Sequence, residues 1–269
     1  MWCHSAGLLR KKFDSWVNLH YPKTMLRALF LTIFLTLSHV VAQNEGVKVV
    51  FRLLCFEQRD GIDALWVAQP GADAGNKEVV LFTGGFSEEH EGVFAAGKAE
   101  LFVEETRPDG TKSRKVLASG KLADSPRQAF LLIPTGEKSG PIYRILCFDD
   151  RESAFPMGAT RLINLATFPV RLAIAEKDLP PIEPGGMQIY PMVKTVDEWN
   201  MFKARIDFGV KADQWVPVST QSWKASDQKR DWVVTSFSAE TRQPVVRLYK
   251  DIPPWRKPNL EIGKPEGQP

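Results

Sequence analysis

Only one histidine, His90, follows residue 42, so any Ser-His-carboxylate chemistry in the body of the chain has to run through it. It lies in Ser87-Glu88-Glu89-His90-Glu91, the densest set of polar ligands in the sequence. Carboxylates with an imidazole could hold a divalent cation, but the spacing matches no recognised cation loop. A charge run next to Gly84-Gly85 reads as a hydrated loop. Asp149-Asp150-Arg151-Glu152 offers adjacent carboxylates. Glycoside hydrolysis needs two carboxyls facing each other across about 5 to 9 Å, and chain neighbours in a polar stretch read as a solvated turn. Cys55 and Cys147 are in neither a Cys-x-x-Cys arrangement nor the company of a histidine, so a nucleophilic or redox role is not expected. They read as two buried free thiols, with a bridge as the alternative should their strands be neighbours. No catalytic residue, metal ligand or cofactor is therefore assigned, and the chain reads as a non-enzyme.

Tryptophan is the remaining candidate for chemistry, through contact area. Six follow residue 42, and all but Trp66 are in the second half: Trp199, Trp215, Trp223, Trp232 and Trp255. An exposed indole can stack on a sugar or a partner protein; core packing is its commoner use. Trp215 and Trp255, beside Pro217 and Pro254, are the two expected at a binding surface, because a nearby proline hinders full burial in a ladder.

The elements that would position these residues are strands. Apolar residues recur with period two between turn signals such as Asp60-Gly61, Pro70-Gly71, Pro108-Asp109-Gly110 and Pro184-Gly185-Gly186. In the first half the pattern predicts strands near 47–56, 63–68, 78–83, 98–105, 114–119, 128–134 and 142–148. In the second half it predicts 159–165, 169–175, 187–192, 202–209, 213–223, 231–237 and 244–250. Phe202-Lys-Ala-Arg-Ile-Asp-Phe208 is the clearest, apolar at even positions and charged at odd ones. No amphipathic helix of ordinary length is visible. Arg52-Leu-Leu-Cys-Phe-Glu57 recurs as Arg144-Ile-Leu-Cys-Phe-Asp149, which suits either a tandem duplication or two core strands of one sheet. The expected fold is all-β: two tandem immunoglobulin-like β-sandwich domains, 43–152 and 153–257, with a disordered tail at 258–269 rich in Pro, Gly and Lys.

Met25 to Ala42 has the three parts of a secretory signal peptide: Arg27, the apolar run Ala28 to Leu37, and Val40-Val41-Ala42 before a cleavage ahead of Gln43. Residues 1–24 do not resemble an n-region, so translation is expected to start at Met25. Cleavage would remove five basic residues and one acidic residue from totals of 35 and 32, leaving 30 and 31, a formal charge of −1. That balance excludes a nucleic-acid footprint, which needs clustered Lys and Arg on one face. No later stretch is long and apolar enough to span a bilayer.

The stretch Phe155-Pro-Met-Gly-Ala-Thr-Arg-Leu-Ile-Asn-Leu165, continuing to Ile174 with Pro184-Gly185 ten residues on, resembles uncharacterised, signal-peptide-bearing bacterial envelope proteins. The resemblance covers the second half and implies a bacterial source and a β-sandwich; it brings no activity. The expected function is that of an exported, non-catalytic binding or scaffold protein, periplasmic or extracellular, whose partner is an envelope protein or a glycan. A carbohydrate-binding module, which would show two or three coplanar exposed aromatics, is one alternative. A pilus-type assembly chaperone with an exposed strand is a second. A hydrolase holding His90 in a cleft with a carboxylate and a hydroxyl is a third.

Overall fold

The first strand, β1 (Val47–Cys55), has almost no alternation: Phe51, Arg52, Leu53, Leu54 and Cys55 are all buried. A strand reads this way when both its faces are covered, and the fold is built around that fact. The computed structural model describes residues 46–256 apart from 71–74, 96, 138, 212 and 239. The expected start at Met25, the signal peptide with its cleavage site, and the tail at 258–269 lie outside the described residues.

Seven more strands join β1 in one sheet: β2 (Ala64–Ala68), β3 (Asn76–Val80), β4 (His90–Phe94), β5 (Lys98–Thr106), β6 (Lys112–Lys121), β7 (Arg127–Pro134) and β8 (Tyr143–Asp149). Their order is β3-β2-β5-β6-β8-β7-β1-β4. The β1–β7 and β6–β8 pairs are parallel and the rest antiparallel. The sheet curls into a near-barrel around Phe51, Leu53, Leu65, Leu101, Phe130 and Ile145. Gly120 sits where β6 meets β8: a Cβ there would lie 2.0 Å from the Ile145 carbonyl oxygen, so only glycine permits the approach.

The second half supplies two four-stranded sheets. One is β12-β9-β15-β16, from β12 (Met187–Tyr190), β9 (Thr160–Asn164), β15 (Arg230–Ser238) and β16 (Gln243–Asp251). The other is β11-β10-β13-β14, from β11 (Lys177–Asp178), β10 (Val170–Ile174), β13 (Met201–Lys211) and β14 (Gln214–Lys224). They pack face to face through Leu162 and Val233 on one side and Leu172, Ile206, Phe208 and Trp223 on the other. The chain is all-β: among the described residues there is no α-helix, only a 3₁₀ turn at Pro254–Arg256, and no helix long and apolar enough to cross a membrane.

The other face of β1 and β7 explains the missing alternation. Leu54, Ala129 and Leu131 turn outward from the near-barrel and pack on Ile163, Trp232 and Val234 of the adjoining sheet. Trp232 is wholly buried there, with Phe86, Phe148 and Phe155 rings 4.9 to 5.4 Å away. The described residues accordingly belong to one compact unit.

The fourteen strands read from the sequence are all present. Two were missed. Around β4 the sequence pattern reads as a hydrated loop, whereas in the structure Glu91 is exposed and His90, Gly92 and Phe94 face inward. β11 follows a two-residue turn, Ala175 (φ 48°) and Glu176 (φ 69°), with no glycine or asparagine to announce it. The repeated hexapeptides are in β1 and β8, strands of the same sheet with β7 between them.

Candidate functional site

Strand β3 is one edge of the curled sheet and β4 the other, and their free edges face a common seam. Backbone parity shows which groups are unpaired. The Leu81 N–H donates to the Asp63 carbonyl (2.7 Å) and the Gln69 N–H to the Gly75 carbonyl (3.2 Å), so the odd-numbered residues of β3 bond β2. Glu78 and Val80 therefore turn their N–H and C=O away from β2. In β1 the N–H groups of Val50 and Phe56 point to the β7 side. Odd residues of β1 thus bond β4 through His90, Gly92 and Phe94, and Glu91 and Val93 turn outward. The seam is pinned at one end by the Gln69 side chain donating to the Glu91 carbonyl (2.7 Å), and at the other by the Cys55 N–H donating to the Phe82 carbonyl (2.9 Å).

Between these pins lies a cleft of about 380 Å³, within the range of small-ligand sites. β3 gives it Glu78 and Val80, the segment that follows gives Phe82, Phe86, Ser87 and Glu88, and β4 gives His90. Val80 and Phe82 are 47% and 51% exposed, unusual for large apolar side chains beside a buried imidazole. His90 is 4% exposed, its ring 5.6 Å from Phe51, and among the described residues neither ring nitrogen has a hydrogen-bond partner. Burial first, and the Lys77 ammonium second, lower its pKa against a smaller opposing pull from Glu88, so the imidazole is held neutral. A buried imidazole with both nitrogens unpaired carries a desolvation cost that a ligand could relieve.

Two carboxylates of the acidic run pair away from His90. Glu89 pairs with Arg127, and Glu91 with Lys48 (2.9 Å). Among the described residues no three His, Cys, Asp or Glu side chains gather as a metal site. Ser87 and Glu88 do share the cleft with His90, the company sought for a hydrolase. The Ser87 hydroxyl, however, donates its proton to the Glu88 carbonyl (2.7 Å) and accepts from the Leu53 N–H (3.0 Å). It is a structural tie between β4's approach and β1, not a nucleophile bonded to a base.

The tryptophans are dispersed. Trp215 is half-buried with the Arg171 guanidinium 4.6 Å over its ring. Trp255 is 36% exposed and lies over Arg127, Arg52 and Arg230 at 4.6, 5.5 and 5.6 Å. Trp199, not singled out by sequence, is the most exposed of the described tryptophans at 71%. It precedes β13, whereas Trp215 pairs with Gly209 at the far end of the same hairpin, roughly 30 Å away along the strands. They form no common stacking platform.

Under Trp255 is the feature the sequence reading missed. Arg52 donates to Asp150 through Nε (3.0 Å) and to Asp251 through Nη1 (2.7 Å). Arg230 donates to Asp150 through Nη2 (2.7 Å) and to Asp251 through Nε (3.0 Å). All four are essentially water-free. The solvated turn expected at Asp149–Glu152 is thus corrected at Asp150, which is wholly buried. Its neighbours do stay at the surface side: Arg151 hydrogen bonds hold Asp149 down at about 2, and Glu152 pairs with Arg256. Burial pushes the Asp251 carboxyl up, but Arg52 and Arg230 outweigh it and leave it below the ordinary value. Arg161 lies beside the cluster, its guanidinium 4.3 and 4.4 Å from the Phe155 and Trp232 rings. Burial, then Arg230, lower it to about 10. The signal was available: Arg52 and Arg161 each interrupt an apolar strand.

Cys55 and Cys147 are free, Cys55 buried and Cys147 partly so. Burial raises their thiols to about 11 and about 12. β7 separates their strands, and they flank Leu132 and Phe130, two residues apart on it. That places them roughly 12 Å apart, beyond disulfide reach.

No family model matches this chain, and no curated protein matches it in sequence.

Proposed function

We propose that this is an exported, non-catalytic binding protein of the bacterial cell envelope, and that the β3/β4 seam is its ligand site. One observation carries the choice of site: a neutral, buried imidazole with no hydrogen-bond partner among the described residues, in a cleft rimmed by exposed Val80 and Phe82. Export rests on the leader at Met25 to Ala42. We further infer an immunoglobulin-like sandwich for the second half, supported by its two facing four-stranded sheets. The carbohydrate alternative loses support from the scattered tryptophans. The hydrolase alternative keeps one supporting observation, the nearness of Ser87 and Glu88 to His90.

One experiment tests both readings. In the form beginning at Gln43, His90 is the sole histidine and its imidazole gives a resolved NMR signal. Peptide, glycan and lipid fractions of a bacterial envelope extract are titrated against it. The expected result is that one fraction shifts the His90 signal and that Phe82→Ala abolishes the shift. A fraction that binds wild type and Phe82→Ala equally, with the His90 signal unmoved, overturns the site. Hydrolysis of an activated ester that disappears in His90→Phe would favour the hydrolase instead.

A further inference from the structure

We propose that the seam receives an extended peptide of alternating apolar and basic residues, which adds as a short strand to the free edge of β3. This rests on the reading of the seam as a binding site and names its ligand class. The backbone supplies the first argument. Glu78 and Val80 each direct an N–H and a C=O into the seam, and among the described residues neither group has a partner. Two such residues, one apart, repeat at about 6.8 Å, the i, i+2 spacing of any extended chain. A glycan or lipid headgroup has no reason to match that repeat, whereas strand addition does so by construction.

Charge and surface supply the second. Among the described residues the carboxylates that line the cleft, Glu78 and Glu88, make no ion pair, while their neighbours Glu89 and Glu91 are matched by Arg127 and Lys48. Lys77 stands nearby but does not line the cleft. The lining is therefore net acidic and asks for a basic occupant. Val80 and Phe82 provide an exposed apolar rim for alternate side chains to pack on. His90, with one ring nitrogen a donor and the other an acceptor, adds an unpartnered polar group to the lining. The pins at Gln69 and Phe82 limit the added strand to about the 17 Å of β3.

The test uses a blocked, fluorescein-labelled octapeptide of alternating valine and lysine, read by anisotropy against the exported protein. Saturable binding is expected, and a valine–glutamate octapeptide should bind at least tenfold more weakly. Val80→Pro removes one seam-facing N–H without touching the β2 ladder, and should weaken binding about tenfold. Glu78→Lys with Glu88→Lys should do the same. Circular dichroism checks the fold of each variant. Should Val80→Pro not fold, N-methylation of alternate residues of the valine–lysine peptide removes the same hydrogen bonds from the ligand side. Equal affinity for the glutamate peptide, or undiminished binding after loss of the backbone bonds by either route, overturns the proposal. A His90 shift caused by a glycan or lipid fraction, with no binding of the valine–lysine peptide, overturns it too while leaving the seam as the binding site.

Discussion

At the scale of single residues, the molecule stores its unusual chemistry in side chains cut off from water. His90 is the titratable example. Its folded-state pKa lies below the ordinary value of 6.5, through burial and Lys77, with Glu88 opposing. Above that ordinary value both folded and unfolded chains carry a neutral ring, and His90 adds nothing to the pH dependence of stability. As pH falls below about 6.5 the unfolded chain takes up a proton that the folded chain refuses, so stability drops until the lower folded pKa is reached. His90→Phe, which keeps an aromatic ring against Phe51, should flatten the denaturation midpoint between about pH 7 and pH 5 relative to wild type. A wild type whose midpoint does not fall in that window, or a variant that falls just as steeply, would show that the ring is not held neutral. Arg52 and Arg161 teach the opposite lesson about legibility. Each interrupts an apolar strand, which marks a buried charge, but a single sequence does not say which carboxylate answers it. Asp150 and Asp251 come from a linker and a strand end remote from both.

At the scale of elements, strands were legible because period two survives in edge and sandwich strands such as β13, where Phe202, Ala204, Ile206 and Phe208 are buried. The continuous apolar run of β1 signalled a strand covered on both faces, but not that the cover was a near-barrel on one side and a second sheet on the other. β4 escaped because it is only five residues long, follows a run of carboxylates, and carries three inward positions, one of them glycine. The seam itself was illegible: Glu78 and Val80 look like any edge residues until the β2 register shows which way their amides point. Close packing within the curled sheet depends on Gly120. Gly120→Val should push β6 off β8, because the added Cβ meets the Ile145 carbonyl. A loss of about 2 to 4 kcal/mol is expected in urea denaturation, and a loss below about 0.5 kcal/mol would mean that the two strands part without cost.

At the scale of the whole molecule, the near-barrel and the sandwich share the Trp232 core and the Arg52, Asp150, Arg230 and Asp251 cluster, so they should melt together. Calorimetry of the wild type is expected to show one transition. Asp150→Asn leaves two guanidinium groups facing one carboxylate in a water-free site, and should cost about 3 to 5 kcal/mol, lowering the melting of both halves alike. Two separated transitions in the wild type would contradict that coupling. The Arg52–Asp251 bond also spans 199 positions of sequence. A ribosome releases Arg52 long before it releases Asp251, and β1 cannot complete its sheet until β7 and β8 have followed it. Contacts this distant slow folding. On the proposed export, which would thread the chain unfolded through a membrane pore, slowness is useful: the order in which its partners are synthesised keeps Arg52 and β1 open until Asp251 has been made. A form truncated before β16 should accordingly remain protease-sensitive however long it is left to fold.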